Sequence, residues 1–591
     1  MHKCQPTDFL NISSVRDFSL NCNEKHIACI IKEKTKQRLF IYSIENKTLK
    51  KPTKEFDTVS FVKFSPSDKN LLLVKAARIN DQYLSFFFLN IKNKTQKKLP
   101  EPPDTLIRFG NWSPQGDKIT YAINKKNEKD FKIKIFNLKT NTTRDVFSLK
   151  TSCSVPGFSP KESFLIILEH ISSIKTNCYL LNLKTNKIKK IITNNKSQDF
   201  IIAGIKWLSD ESGFYYISDK NCDRNSLYFF DLVKNKSKLI TETPGDLQNI
   251  HKSNTEKFLF LAINEGGKIL LYKFNIKNNK LSKKIEFPKG SIDSFLLSKD
   301  NLAIMTCSSP TQGSSLYSYN KSFKQLIASK QKIPPKNLVS PISFYYKSFD
   351  NLKIQNFLFL PKNKKIKYPL FIFLHGGPAS LYVPNYNSLI QFLVNKGYAV
   401  AAPNIRGSSG YGKKFKTLDD KEKRYHALKD VIYLQRFLKK EYNQINTDKT
   451  ILCGESYGGF LTMLLLALYP QKWLKGISIS GISNFITYLE NIPEWRRPVR
   501  EEEYGSLKHN KVLLKALSPI NNKETIQSPL LLIHGKNDTQ VPLDQTLDMY
   551  KALKKLNKKV EKIIYTDEGH IIYKKKNRLN LYKKIITFIE N

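Results

Sequence analysis

The sequence predicts an N-terminal seven-bladed β-propeller over residues 1–340 and a C-terminal α/β-hydrolase domain over residues 341–591. Three observations carry this expectation. A repeat of about 46 residues runs through the first part of the chain. Alternating strand and helix patterns replace it after about residue 345. In that second part Gly454-Glu455-Ser456-Tyr457-Gly458-Gly459 stands between an apolar run and a helical stretch.

The repeat has two halves. One is an aromatic-Ser-Pro turn, seen at Phe64-Ser65-Pro66, Trp112-Ser113-Pro114 and Phe158-Ser159-Pro160, with a degenerate copy at Trp207-Leu208-Ser209. The other is an apolar strand ending in Asn or Asp before a Lys/Asn/Thr turn: FLNIKNKT from Phe88, IFNLKTNT from Ile135, LLNLKTNK from Leu180, FFDLVKNK from Phe229 and KFNIKNNK from Lys273. Weaker copies lie at Ile41 and around Asn320. From Ser43 through Asn90, Asn137, Asn182, Asp231 and Asn275 to Asn320 the steps are 47, 47, 45, 49, 44 and 45. Seven such units, each with room for four short strands and almost no helical periodicity, match propeller blades that bury their faces on one another. A pair of β-sandwiches would not produce a constant period. No Glu-Glu pair in this region stands out as an anchor for a peptide amine.

Lys330 to Pro341, with Pro334-Pro335, is the expected linker. Beyond it, strands are expected at 370–374, 398–403, 450–453, 476–480, 530–534 and 562–566. Helices are expected near 425–440, 460–469, 543–556 and 578–589. Strands alternating with helices read as a parallel α/β sheet.

Ser456 follows the apolar run Thr450-Ile451-Leu452-Cys453 and precedes the helical stretch from Phe460 to Tyr469. Strand, sharp turn and helix are the context of a nucleophile elbow, and glycines at 454 and 458 allow the turn. The acid and the histidine then follow in that order along the chain. Only His509, His534 and His570 come after Ser456. His570 ends a β-branched run that opens into a loop, which suits the base. Asp538 lies in the loop after Leu530–Ile533 and suits the acid that orients it. Asp567 and Glu568 are rivals, too close in sequence to His570 to sit opposite its ring.

An oxyanion needs N–H or O–H donors aimed at it. The strand Leu370–Leu374 ends in His375-Gly376-Gly377-Pro378, a glycine loop able to supply one backbone N–H, and the N–H of Tyr457 is another. Tyr411, in Asn404-Ile405-Arg406-Gly407-Ser408-Ser409-Gly410-Tyr411-Gly412, is a third candidate. His375 reads as a structural histidine tying the loop backbone together.

With these motifs in place the chain resembles the prolyl oligopeptidase family of serine peptidases, and most closely its acylaminoacyl-peptidase and dipeptidyl-peptidase-like bacterial members. HGGP at 375–378, NIRGSSGYG at 404–412, GESYGGF at 454–460, LSPI at 517–520, HGKNDTQVP at 534–542, Gln545 and EGH at 568–570 carry the resemblance over about 200 residues. The resemblance implies Ser456, Asp538 and His570 as the catalytic triad. It implies an oxyanion hole of Tyr457 N–H with either the Tyr411 hydroxyl or Gly377 N–H. It also implies substrate contacts at Gln540 and Arg406. Many relatives carry arginine two residues after the catalytic aspartate; here the residue is Gln540. An amide can donate to the same peptide carbonyl, without charge assistance.

The formal net charge of +47 invites a nucleic-acid reading. Only 13 of the 98 basic residues are arginine, and the lysines are spread over every blade turn, which gives solubility and weak attraction to polyanions rather than a specific nucleic-acid face. Arg496, Arg497 and Arg500, beside Glu501 to Glu503, read as a solvated or internally paired helix face. Mean hydropathy is -0.41, and no apolar run is long enough to span a bilayer. Met1 to Leu20 has no apolar core, so a cytoplasmic protein is expected, with no membrane partner. Eight scattered cysteines without metal spacing are expected to be reduced, Cys453 as packing; no metal or cofactor is implied. A homo-oligomer is compatible with this sequence. The expected activity is serine-type hydrolysis of short peptides through an acyl-enzyme, with the propeller limiting substrate size. The alternatives are an esterase or amidase of small acyl substrates, and an inactive propeller scaffold.

Overall fold

The computed structural model describes residues 5–591 apart from 34–35, 79–80, 82, 103–104, 126–127, 195–197 and 363–366. Cys4 lies outside these residues. The chain forms two compact units.

The first unit is the propeller. Seven four-stranded antiparallel meanders follow in chain order: Ser14–Lys50, Phe56–Lys98, Leu106–Leu149, Ser152–Ile192, Ala203–Thr241, Asp246–Ile285 and Ser291–Ile327. The repeated residues have repeated jobs. At the turn from third to fourth strand, Asn90, Asn137, Asn182 and Asn275 each accept with Oδ1 a backbone N–H two residues on, at 3.0, 2.9, 3.0 and 2.9 Å. A residue with positive φ then closes the hairpin: Lys94, Asn141, Asn186 and Asn279. Asn does both well, because its short amide bonds local backbone and tolerates the left-handed region. At the turn from first to second strand, Ser113 and Ser159 accept the N–H of Lys118 and Phe164 at 3.1 and 2.9 Å. Ser253 and Ser298 do the same for Phe258 and Leu302, although their turns lack the aromatic-Ser-Pro signature.

Neighbouring blades share cores. Phe88 stacks on Phe136 at 5.5 Å between centroids and meets Trp112 edge-on at 5.8 Å. Every blade takes its four strands from one continuous segment, so no strand is shared between first and last blades. The ring closes instead through a packed seam of Val15, Phe18, Ile27 and Tyr42 against Ile304, Leu316 and Ile327. A reciprocal pair supports it, Ser13 N–H to Lys330 O at 2.7 Å and Lys330 N–H to Ser13 Oγ at 2.6 Å.

The second unit holds Gln331–Asn591 together with the segment up to Asn11 and Ser309–Gln312. The chain therefore changes unit at both ends of the propeller region, not once at 340. The helix Pro6–Leu10 buries Phe9 and Leu10, and Phe9 meets Phe392 at 5.7 Å. Ile333 and Leu338 of the expected linker are buried in the same core. An eight-stranded sheet organises this unit: β1 Ile342–Lys347, β2 Lys353–Phe359, β3 Tyr368–Leu374, β4 Ala399–Asn404, β5 Ile445–Glu455, β6 Lys475–Ile479, β7 Leu530–Gly535 and β8 Val560–Tyr565. Spatial order is β1-β2-β4-β3-β5-β6-β7-β8. The β1–β2 and β2–β4 pairs are antiparallel and all others parallel. All six expected strands are present; β1 and β2 were not foreseen. The four expected helices lie at Arg424–Glu441, Tyr457–Leu468, Asp544–Lys555 and Lys575–Glu590. Among the described residues no helix is long and apolar enough to cross a membrane, and the seven described cysteines are free.

Closure without a shared strand makes the packed seam a weak point. Leu316 is fully buried there. Leu316→Ala should lower propeller stability by about 2–5 kcal/mol, read as a drop in the urea midpoint by tryptophan fluorescence. A shift no larger than that of Leu239→Ala, at an exposed site, would show that closure does not depend on this seam.

Candidate active site

Strand β5 ends in the turn that presents Ser456. The residue has φ 56° and ψ -115°, a combination that side chains disfavour. Its N–H donates to Ile479 O of β6 at 2.8 Å. The glycines around it are required by close approach. A Cβ at Gly454 would lie 2.1 Å from the Gly458 carbonyl, and one at Gly458 would lie 2.1 Å from Leu374 O of β3. The turn is thus clamped between both neighbouring strands.

Asp538 and His570 are brought together from two loops. Asp538, after β7, holds His570 Nδ1 at 2.7 Å through Oδ2. Its Oδ1 accepts the N–H groups of Gln540 and Val541 at 2.7 and 3.0 Å. His534, to which the sequence reading assigned no role, places Nε2 3.1 Å from the same Oδ2. It is fully buried and also meets Thr546 Oγ1 at 2.8 Å. Burial works to raise the Asp538 pKa, but the bonds from His534, His570 and Val541 outweigh it and hold the carboxyl well below its usual range. The rivals are engaged elsewhere: Glu568 accepts Lys574 N–H at 2.8 Å, and Asp567 pairs with Lys574 Nζ at 3.0 Å. His570 reaches the neighbourhood of Ser456 at the end of β6. Ser480, next to the residue that bonds Ser456 N–H, donates to His570 O at 3.3 Å.

The glycine loop after β3 lies against Ser456. A Cβ at Gly376 would be 3.4 Å from Ser456 Cβ. His375 is structural, its Nδ1 2.7 Å from Gly376 O and its Nε2 2.9 Å from Ser408 Oγ. Tyr457 opens the helix after Ser456, so its N–H is among the first-turn donors with no intrahelical acceptor. Its side chain points into the core, where the hydroxyl donates to Asp419 Oδ2 at 2.7 Å. Asp419 in turn accepts from Arg424 Nη1 at 3.0 Å, both side chains fully buried. Tyr411 departs from the expectation for an oxyanion donor. Its hydroxyl gives its proton to Gln355 Oε1 and accepts from Asn404 Nδ2 at 2.7 Å, on the buried β2–β4 pair.

Arg406 is a second correction. The guanidinium is 1% exposed and cannot meet a substrate. It donates to both Asp430 oxygens and, through Nη1 and Nη2, to Asp350 at 3.0 and 2.9 Å. Phe349 covers it at 4.7 Å. The arginine run is internally paired at Arg500, one of the two readings expected for it, and it also reaches other loops. Arg496 Nη1 donates to Gln540 O at 3.1 Å, and its Nη2 lies 3.4 Å from Gln540 Oε1. Arg500 Nη1 lies 3.4 Å from Gly377 O and donates to Glu503 Oε2 at 2.7 Å. Gln540 itself is exposed. Among the described residues no cluster of side chains could hold a metal ion.

With this geometry established, comparison adds a family. A model described as the prolyl oligopeptidase family matches residues 384–591. "Dipeptidyl aminopeptidase BIII" of Pseudoxanthomonas mexicana is 24% identical over 578 residues, 86% of this chain and 83% of the relative. "Dipeptidyl peptidase family member 6" of Caenorhabditis elegans is 24% identical over 415 residues, 64% of this chain; the match spans 56% of that relative's length. An acylaminoacyl peptidase structure from Pyrococcus horikoshii superposes with a TM-score of 0.78 at 19% identity, covering 99% of this chain and 97% of the other. That likeness shows the shared fold, propeller and hydrolase sheet together.

Two outcomes test the electrostatics. Removing one partner of a buried ion pair strands the other, so Arg406→Met should cost roughly 3–5 kcal/mol, seen as a lower urea midpoint. A raised KM on peptides with an unchanged midpoint would restore a substrate role for Arg406. For Asp538, the depressed native pKa means stability that is complete above the unfolded pKa of about 4 and lost as pH falls through the native value. The stability gap between wild type and Asp538→Asn should therefore shrink as the pH drops below about 4; a gap that widened on acidification would contradict the bonding described for Asp538.

Proposed function

We propose, for a chain whose residues 384–591 are a prolyl oligopeptidase family domain, a serine peptidase that hydrolyses short peptides through an acyl-enzyme. The observation that carries the reading is the meeting, at Ile479–Ser480, of the strained Ser456 turn with an Asp538-bound His570. Ser456 Oγ attacks the scissile carbonyl. Because ionised Asp538 accepts a hydrogen bond from Nδ1–H, His570 keeps Nε2 free to accept the serine proton and later deliver it to the leaving amine. Water then attacks the acyl-enzyme by the same route, and His570 returns the proton to Ser456. The tetrahedral oxyanion is held by the Tyr457 N–H and the N–H of Gly377, beside Gly376 on Ser456; the commitment of the Tyr411 hydroxyl favours Gly377.

The seven-bladed unit restricts the substrate to short or unfolded chains; an esterase of small acyl groups needs no such accessory. Exposed Gln540 donates from its amide to a carbonyl of the bound peptide. The free cysteines favour a cytoplasmic setting.

Fluorophosphonate labelling and peptide turnover test the triad together. Ser456→Ala should lose labelling and turnover, His570→Ala should lose turnover, and the double variant should be no worse than either, because triad members act as a unit. Near-normal kcat in His570→Ala would remove His570 as the base. A folded protein bearing the cleaved bond in a surface loop should be spared; equal rates on it and on the free peptide would reject the size limit.

A further inference from the structure

Two arginines stand beside the candidate site, and one of them is directly paired with a carboxylate. Arg496 and Arg500 lie four residues apart in the helical run from Glu494 to Tyr504, hence on one face. One reaches the loop of the candidate acid, at Gln540. The other reaches Gly377, next to the glycine that packs on Ser456. Glu503 pairs with Arg500. All three hydrogen bonds of Arg496 go to neutral oxygens, those of Thr539 and Gln540. Arg500 Nε is buried with no hydrogen-bond partner. Burial, the largest influence on the Arg496 guanidinium, pulls its pKa below the usual value, although the charge of Asp538 works to raise it.

A buried donor without an acceptor and a guanidinium hydrogen-bonded only to neutral oxygens are both unfavourable. A neutral carbonyl would satisfy a hydrogen bond and leave the charge. A carboxylate satisfies both, and guanidinium is the group best shaped to bind one. We infer that Arg496 and Arg500 form a carboxylate-binding wall beside the reacting bond, selecting substrates with an acidic group close to the point of cleavage. The inference rests on the peptidase reading above. The carboxylate has two sources in a peptide, a Glu or Asp side chain and the free C-terminus, and the wall recognises the chemistry they share.

The test uses the full-length protein and a quenched-peptide set. Glu or Gln is placed at each of the two positions on either side of the cleaved bond, and each peptide is made as free acid and as C-terminal amide. Wild type should prefer the anionic member of one pair by about tenfold or more in kcat/KM. The preference should fall towards unity in Arg496→Gln and in Arg500→Gln. Taking the ratio within each variant cancels any general loss of activity, and the wild-type ratio decides the matter if a variant fails to fold. A preference confined to free acid over amide would assign the carboxylate to the chain terminus; one confined to Glu over Gln would assign it to a side chain. Equal rates for charged and neutral members in wild type, or a preference that both variants retain, would overturn the inference. Peptide cleavage without charge preference overturns only this inference. Ser456-dependent hydrolysis of p-nitrophenyl acetate with no peptide cleavage at all overturns it together with the peptidase reading.

Discussion

The architecture of the catalytic unit depends on one backbone turn. Ser456 is held at φ 56° and ψ -115°, a conformation that costs on the order of 1–3 kcal/mol and persists only where its surroundings over-determine it. Here they do so from both sides. Strand β3 presses the Leu374 carbonyl against Gly458, and β6 accepts the Ser456 N–H at Ile479. This needs β5 to lie between β3 and β6 in a parallel sheet. It also needs Gly454 and Gly458 to pack backbone on backbone. The helix that follows is buried on nearly every side, from Tyr457 through Ala467. The sheet order, the glycines and the apolar helix are one solution to the problem of exposing a serine at the tip of a strained turn.

Behind the turn the unit buries charge. Arg424 and Asp419 are inaccessible, and Tyr457 joins them through its hydroxyl. Burial, only partly offset by Arg424, raises the Asp419 pKa to about 6. Arg406 is locked between Asp430 and Asp350. Buried pairs of this kind add little net stability over apolar packing, but losing one partner is expensive. Their effect is to fix loops: Arg406 holds the segment after β4 to the helix Arg424–Glu441, and the Asp419–Arg424–Tyr457 chain ties the same region to the residue after the nucleophile. An arginine inside a motif next to an active site reads in sequence as a substrate contact, whereas burial makes this one a fastener.

Much of this was legible in the sequence where chemistry is local. The blade repeat could be found because Asn at one hairpin and Ser at another bond backbone within a few residues, so the same side chain recurs whenever the turn does. The blades containing Ser253 and Ser298 kept that bond while losing the flanking aromatic and proline, which is why that half of the repeat faded there. The strained turn at Ser456 and the pairing of Asp538 with His570 were also foreseen. The edge strand β1 and its inner neighbour β2 were not: β2 buries Gln355 and Asn356, which interrupt its apolar run. The contacts of Arg500 with Gly377 and of Arg496 with Gln540 join segments far apart in the chain, which no local pattern encodes. One signal was available. In a chain with 13 arginines among 98 basic residues, three fall within five positions at 496–500. Where lysine is the default cation, a local switch to guanidinium marks a place that needs planar, directional donors.

The loop from Gly535 to Pro542 then links catalysis to recognition. Both Asp538 oxygens are occupied, one by backbone N–H groups and the other by two histidines. The carboxylate therefore has no freedom to rotate without breaking several bonds at once, and the orientation of His570 follows from it. The same backbone donors that fix Asp538 are those of Gln540 and Val541, so the loop that aims the base also sets where Gln540 meets Arg496. On the opposite side, the loop that packs Gly376 against Ser456 offers the Gly377 carbonyl to Arg500. Each of the two loops proposed for proton transfer and oxyanion binding thus carries one guanidinium contact. A substrate anion drawn to that wall would pull on the same two loops, so its charge would bear on the positioning of the reacting groups as well as on affinity.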